Sequence, residues 1–293
     1  MRTEDWAVID PFAWRITYAT GFHGFPHDAW RIIQETSPDS VSGPPLYYGM
    51  LLALMEGRAE DVARLVAGVP LMPPDCPTCD FSDLLPIPVA VSAFFVNGFE
   101  EAAGIAVQRI APHVQLDPEA FNSAMCLYQL WRLDRDDDVA ATRAMLEAAG
   151  SAEPSDSRRC LALAAALEAR DDPSGPAPKL ERLDSLMAAG WHCTQTNLLI
   201  ADLLSARGEF NRALAVVRRR RGRAMNVCGA YQQPAFLVRE GRLAAMLGDT
   251  AGAIAAYDHY LRLRTNPDSG VLMEEQLAVQ RHLAELVGEG GRE

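Results

Sequence analysis

The residues best suited to chemistry in this chain are two cysteines, Cys76 and Cys79, in the motif Cys-Pro-Thr-Cys within the proline-rich stretch 70–88. Two thiols at this spacing can share a zinc ion or form a reversible disulfide. A structural zinc site needs four ligands, and the sequence has no second Cys-x-x-Cys and no histidine pair near Cys76 and Cys79. We therefore expect no cofactor, with zinc at Cys76 and Cys79 as the alternative.

A second candidate is the basic run Arg218–Arg221, which Arg223 follows. Such a run can bind phosphate or nucleic acid. However, cations at the end of a helix also complement its dipole, and the chain as a whole has a net charge of -12. An acidic surface disfavours general nucleic-acid affinity. We expect the run to stabilise its own helix, or to pair with the acidic turn Asp134–Asp138, and we do not expect nucleic acid as a partner.

Catalytic signatures are missing from the rest of the sequence. We assign no metal site to the six histidines, and neither a phosphate-cradling glycine loop nor a serine-nucleophile motif is present. We therefore predict that the protein is not an enzyme. The aromatic-rich stretch 1–42 allows two interpretations: it closes one end of a helical array, or it binds a small ligand as part of a regulatory or sensor domain.

The elements that position these residues are predicted to be helices. Alanine and leucine dominate and β-branched residues are sparse, which favours α-helix. Pairs of helical runs meet at turn glycines, at positions 57, 98, 208 and 248. The sequence thus predicts an all-α fold: a right-handed superhelical solenoid of about seven helix-turn-helix repeats, as one domain over residues 1–293, with a C-terminal capping helix over 269–288 whose polar face meets solvent.

The clearest repeat is Pro234–Arg264, in which a glycine, small residues and tyrosines stand at set intervals. Gly241, Gly248, Ala253 and Tyr257 occupy positions where this stretch resembles the tetratricopeptide (TPR) family. The same stretch also resembles the C-terminal repeat tails of bacterial serine/threonine kinases and transcriptional activators, but the kinase motifs themselves are missing. The resemblance implies a protein-binding scaffold in bacterial signalling or transcriptional regulation.

In the family, the first helix of each pair lines a concave groove that binds an extended or helical peptide. Arg239 or Arg242 could replace the family's lysines in holding a peptide carboxylate. The resemblance assigns ten residues to the groove: Asn122, Met125, Gln129, Gln195, Leu198, Asp202, Ser205, Val238, Arg242 and Ala245. We therefore expect a protein or peptide partner.

Location and assembly are constrained only weakly by the sequence. The first residues carry acidic groups and no apolar core of a signal peptide, and six scattered cysteines suit reduced thiols. No apolar run is long enough to cross a bilayer. We expect a cytoplasmic protein without membrane contact, and we leave open whether it forms a homo-oligomer.

Overall fold

The computed structural model describes residues 27–29, 31, 43–68, 98–110, 144, 195–219 and 232–290. Every regular element within these ranges is helical, so the prediction of an all-α protein is confirmed for this part of the chain. We label eight helices in chain order: α1 (Gly43–Glu56), α2 (Ala59–Gly68), α3 (Glu100–Ile110), α4 (Gln195–Ala206), α5 (Phe210–Arg218), α6 (Gln233–Met246), α7 (Thr250–Leu263) and α8 (Gly270–Gly290). Nearly all of the aromatic-rich stretch 1–42 and all of the proline-rich stretch 70–88 lie outside the described residues.

Four glycines end or separate these helices in a left-handed backbone conformation: Gly57 (φ 88°), Gly98 (φ 92°), Gly208 (φ 75°) and Gly248 (φ 78°). Side chains with a Cβ adopt this conformation only with strain, which explains why glycine stands at each position. The predicted turns at all four positions are therefore confirmed. Three of them join the hairpins α1–α2, α4–α5 and α6–α7, and the fourth precedes α3.

Helices α6 and α7 cross closely because α6 has a glycine where α7 places a tyrosine. A Cβ added to Gly241 would lie 2.3 Å from Cε1 of Tyr257, whose side chain is buried. Ala244 and Ala253 are fully buried in the same hairpin. Small residues let two helix backbones approach, and close packing then leaves no space for added atoms. The glycine and the small residues at set intervals in Pro234–Arg264 thus lie at the crossing of α6 and α7.

The α4–α5 hairpin repeats this arrangement 40 residues earlier in the chain. Ala201, Leu204 and Ala213 stand where Gly241, Ala244 and Ala253 stand in the next hairpin, and all three are buried. Helix α5 in turn packs on α6, which places the two hairpins side by side. The two hairpins therefore share one continuous apolar core.

A contact between distant parts of the chain distinguishes this fold from an open linear array. The segment that follows α7, Arg264–Asp268, lies against the α1–α2 turn, and we call it the strap. The Asn266 amide donates to the Glu56 carbonyl at 3.4 Å, and the Asp268 amide donates to the Gly57 carbonyl at 3.2 Å. In a linear array each hairpin contacts only its neighbours in sequence. An open array in chain order therefore does not account for this contact.

Side chains reinforce the strap contact on both sides of the turn. The Asp268 carboxylate accepts hydrogen bonds from the amides of Ala59 (2.7 Å) and Glu60 (3.1 Å), and so caps the N-terminus of α2 from 209 residues away. Arg264 is almost completely buried, and its Nη1 donates to the Leu54 carbonyl at 2.7 Å. The N-terminal hairpin and the C-terminal helices therefore form one packed unit.

Helix α8 lies where the C-terminal capping helix was predicted, and most of its polar face is exposed: Glu274, Gln280, Arg281 and Glu285. Leu272 and Val279 are buried, and the Gln276 amide donates to the Arg264 carbonyl at 2.5 Å. In contrast, several apolar side chains of α8 are exposed: Val271, Met273, Leu277 and Val287. The buried side of the helix is therefore partly polar, and its exposed side is partly apolar.

Candidate interaction surface

A row of side chains on α4 and α6 forms a mixed polar and apolar surface on two neighbouring hairpins. Asp202 and Ser205 lie on α4, and Arg239, Arg242 and Met246 lie on α6. Residues three, four and seven apart share one side of a helix. These five residues are half-buried or exposed, whereas their neighbours in both helices are mostly buried. We call this row the exposed stripe.

A bidentate ion pair between Arg239 and Asp202 joins the two helices within the exposed stripe. The Arg239 Nε donates to Asp202 Oδ1 at 2.7 Å, and its Nη2 donates to Asp202 Oδ2 at 2.7 Å. The remaining terminal nitrogen, Nη1, donates to the Ala235 carbonyl at 3.1 Å. Planar guanidinium and carboxylate groups match in this geometry, which fixes both side chains. The Asp202 side chain stays 41% exposed and that of Arg239 22% exposed, so the pair is accessible from solvent.

The protonation of this pair follows from its surroundings. Burial lowers the pKa of the Arg239 guanidinium, but the hydrogen bonds and the charge of Asp202 outweigh burial, and the net shift is upward. Glu275 on α8 contributes a smaller attraction in the same direction. Arg239 is therefore charged at any physiological pH, and the stripe presents a permanent dipole between α4 and α6.

Polar contacts continue from the exposed stripe towards the strap. The Tyr260 hydroxyl donates to Glu275 Oε1 at 2.9 Å, although the tyrosine ring is fully buried. Burial raises the pKa of Tyr260 well above its usual value, and the neighbouring Arg264 opposes this rise in part. The Arg264 guanidinium lies over the rings of Phe99 (5.7 Å) and Tyr260 (6.0 Å). Interactions of Glu275 with Arg239 and Tyr260, and of Arg264 with Tyr260 and Phe99, thus link α6, α8 and α7 with the residue before α3.

The structure separates the predicted groove residues into three groups. Asp202, Ser205, Arg242 and Ala245 are exposed or half-buried on the stripe side of their helices. Leu198 and Val238 are each only 1% exposed, because their side chains belong to the hydrophobic core between the helices. They therefore offer no surface to a partner. Gln195 begins α4 but its side chain lies outside the described residues, as do Asn122, Met125 and Gln129 entirely.

Two features of this surface were not predicted from the sequence. Met246 is 61% exposed at the end of α6, and its spacing of four residues from Arg242 was the available signal. Arg239 was considered as a carboxylate-binding residue, but it already holds the Asp202 carboxylate of this chain. Of the two arginines considered, Arg242 is therefore the one that projects into solvent.

The first arginine of the basic run has partners on the following hairpin. The Arg218 Nε donates to Glu240 Oε1 at 2.9 Å, and its Nη2 donates to Asp249 Oδ2 at 2.5 Å. The hydrogen bond to Asp249 raises the pKa of Arg218, and Glu240 adds to the effect. Asp249 also caps α7 by accepting a hydrogen bond from the Gly252 amide. Arg218 thus has ion-pair partners within the chain, whereas the predicted pairing with Asp134–Asp138 stays a prediction, because that turn lies outside the described residues.

The described residues contain no site with the composition of a metal centre. No group of three or more histidine, cysteine, aspartate or glutamate side chains is placed to hold a metal ion in these ranges. Cys76 and Cys79 lie outside them. His282 lies beside the buried Tyr257, with ring centroids 6.2 Å apart, and is therefore part of the packing of α7 and α8.

No helix within the described part of the chain combines the length and the apolar character needed to cross a membrane. Comparison of the chain with protein-family models, with curated proteins and with solved structures gave no match.

Proposed function

We propose that this protein is a non-catalytic interaction module that binds a peptide or a partner domain across the exposed stripe of α4 and α6. The observation that carries the proposal is a mixed surface in which Arg242 and Met246 project into solvent beside the Asp202–Arg239 pair. Arginine and methionine are enriched at protein interfaces, where an apolar contact and a charged group combine in one patch. A partner with a carboxylate next to an apolar side chain suits this chemistry.

The rigidity of the stripe supports recognition. Arg239 is held by three hydrogen bonds, and the two helices that carry the stripe are fixed by a buried core. A surface that is already ordered loses little conformational freedom when a partner binds. Arg242 then supplies an exposed charge whose neighbours do not need to rearrange.

The TPR-like arrangement is part of the same proposal. Two successive hairpins share their turn glycines, their small buried residues and their side-by-side packing, and repeats of this kind present extended binding surfaces. We extend this arrangement to a helical solenoid whose α1–α2 hairpin meets the strap after α7. We place the protein in bacterial signalling or transcriptional regulation, on the resemblance of the Pro234–Arg264 stretch to repeat tails of such proteins.

The test is co-purification of partners with the full chain and with Arg242→Glu. We expect the substitution to reduce recovery of the partner at least about ten-fold, because it reverses the exposed charge of the stripe. Asp202→Arg is unsuitable for this purpose, since it also breaks the ion pair with Arg239. Thermal unfolding of the purified variant verifies that the fold is intact.

Arg262→Glu is the matched control. Arg262 lies on α7, its side chain is 54% exposed, and it pairs only loosely with Asp258 at 3.2 Å. The control reverses the same charge on a different helix and should leave recovery unchanged. Equal recovery with both variants and the unmodified chain would remove the stripe from the binding surface.

A further inference from the structure

We propose that the strap Arg264–Asp268 is a latch, a two-state contact that holds the α1–α2 hairpin and the start of α3 against α7 and α8. In the closed state described above, the strap lies along the α1–α2 turn as an extended peptide. In the open state, the N-terminal hairpin separates from the C-terminal helices, and both sides of the contact become accessible to solvent.

The strap contacts the α1–α2 turn through nearly every one of its residues. Backbone amides of Asn266 and Asp268 bind the carbonyls of Glu56 and Gly57, and the Thr265 hydroxyl lies 3.2 Å from Glu56 Oε1. Pro267 fits against Gly57, where a Cβ would lie 3.2 Å from its Cα. Main-chain bonds of this kind are how proteins commonly hold an extended peptide. The strap therefore resembles a bound ligand that belongs to the same chain.

The contact is mostly polar, which is why we infer a latch and not a permanent core. Thr265 and Asn266 are exposed, and Pro267 and Asp268 are only half-buried. Hydrogen bonds at such positions can be exchanged for bonds to water at small net cost. Its apolar side chains include Leu272, which lies against Gly98, and Phe99, over which the Arg264 guanidinium lies.

One buried nitrogen of Arg264 opposes the closed state. Its guanidinium is buried and donates to the Leu54 carbonyl, but its Nε finds no hydrogen-bond partner among the described residues. A buried polar group without a partner opposes the folded arrangement, because water would satisfy that group. Opening of the strap hydrates the guanidinium and so recovers part of the energy lost with the other contacts. This opposing contribution narrows the energy difference between the closed and open states.

Hydrogen exchange of backbone amides in the full chain tests the latch. Asp268→Ala removes the cap of α2, and we expect exchange to become about ten-fold faster over residues 54–62 and also over residues 98–103. Amides of α4 and α5 should change less than about two-fold, since these helices pack mainly on each other and on α6. The control is Asp258→Ala, which removes an exposed aspartate of α7 that forms an ion pair with Arg262.

Reciprocity distinguishes a latch from a local helix cap. Gly57→Ala places a Cβ 2.7 Å from Cδ of Arg264, so it disturbs the same contact from the other side. The latch requires this variant to accelerate exchange over residues 270–276, more than 200 positions away. If Asp268→Ala affects only the amides of Ala59 and Glu60, or if Gly57→Ala leaves residues 270–276 unchanged, the proposal is wrong. Complete loss of helix in both variants would equally overturn it, because the contact would then be an obligatory part of the core.

Discussion

Replacement of Gly241 by alanine tests whether the close crossing of α6 and α7 holds this hairpin together. The added Cβ would lie 2.3 Å from Cε1, 2.5 Å from Cδ1 and 2.8 Å from Cζ of Tyr257. The tyrosine ring would have to move by about 1.1 Å to restore an ordinary contact of 3.4 Å. It cannot retreat freely, because its side chain is almost completely buried.

The size of the effect is the difference between two opposing terms. An added methyl group in a well-packed core costs about 1–3 kcal/mol, and contact with three atoms of a rigid ring places this site at the upper end. Alanine gains about 1 kcal/mol over glycine in the interior of a helix, because it restricts the unfolded chain. We therefore expect Gly241→Ala to lower the free energy of unfolding by about 2 kcal/mol.

Urea unfolding followed by far-ultraviolet circular dichroism measures this change. Gly288→Ala in α8 is the matched control, because nothing lies within 4 Å of a Cβ at that position. The control should be neutral or slightly stabilising. Combining Gly241→Ala with Tyr257→Leu should cost less than the sum of the two single changes, since the smaller side chain relieves the clash.

The reasoning fails if Gly241→Ala is as stable as the unmodified chain, or more stable. The helix-propensity gain would then exceed the steric cost, and α6 and α7 would not be held at the distance seen here. Additive free energies in the double variant would also contradict it, because the two positions would then not interact.

Two further predictions concern buried polar groups. Arg218→Met should lower the free energy of unfolding by about 2 kcal/mol, because it removes the arginine that pairs with the buried Glu240 carboxylate. Adding Glu240→Gln should restore most of this loss. An unchanged urea midpoint for the single variant would contradict the prediction. Burial raises the pKa of Tyr260, so its contribution to stability is complete below about pH 10 and is lost as the pH rises towards the folded-state pKa, since only the unfolded chain releases the proton. Tyr260→Phe should therefore flatten the fall in stability above about pH 10 in alkaline urea titrations, and an equally steep fall in this variant would show that Tyr260 does not cause it.

Local features of the fold could be predicted from the sequence with little error. The hairpins α1–α2, α4–α5 and α6–α7 lie where the helical runs and turn glycines placed them. The reason is that a helix and its glycine turn depend on residues only a few positions apart. The small residue at Gly241 also indicated a close crossing, because it stands in a helical run between larger apolar residues.

The candidate surface was predicted only in part. The family resemblance placed Asp202, Ser205 and Arg242 on the groove side of their helices, where they are accessible, but it placed Leu198 and Val238 there as well, and these two are buried. Spacing gives the angle of a side chain about its own helix. The neighbouring helix that covers part of that angle is not encoded in the spacing.

The amino-acid sequence by itself therefore determined the helices, their turns and the small residues at their crossings. The tertiary structure alone decided that Arg239 pairs with Asp202 and that Asp268 caps a helix 209 residues away. Both contacts join charged groups on separate elements. Since such groups are compatible with many partners along the chain, only the packing of the helices selects which two meet.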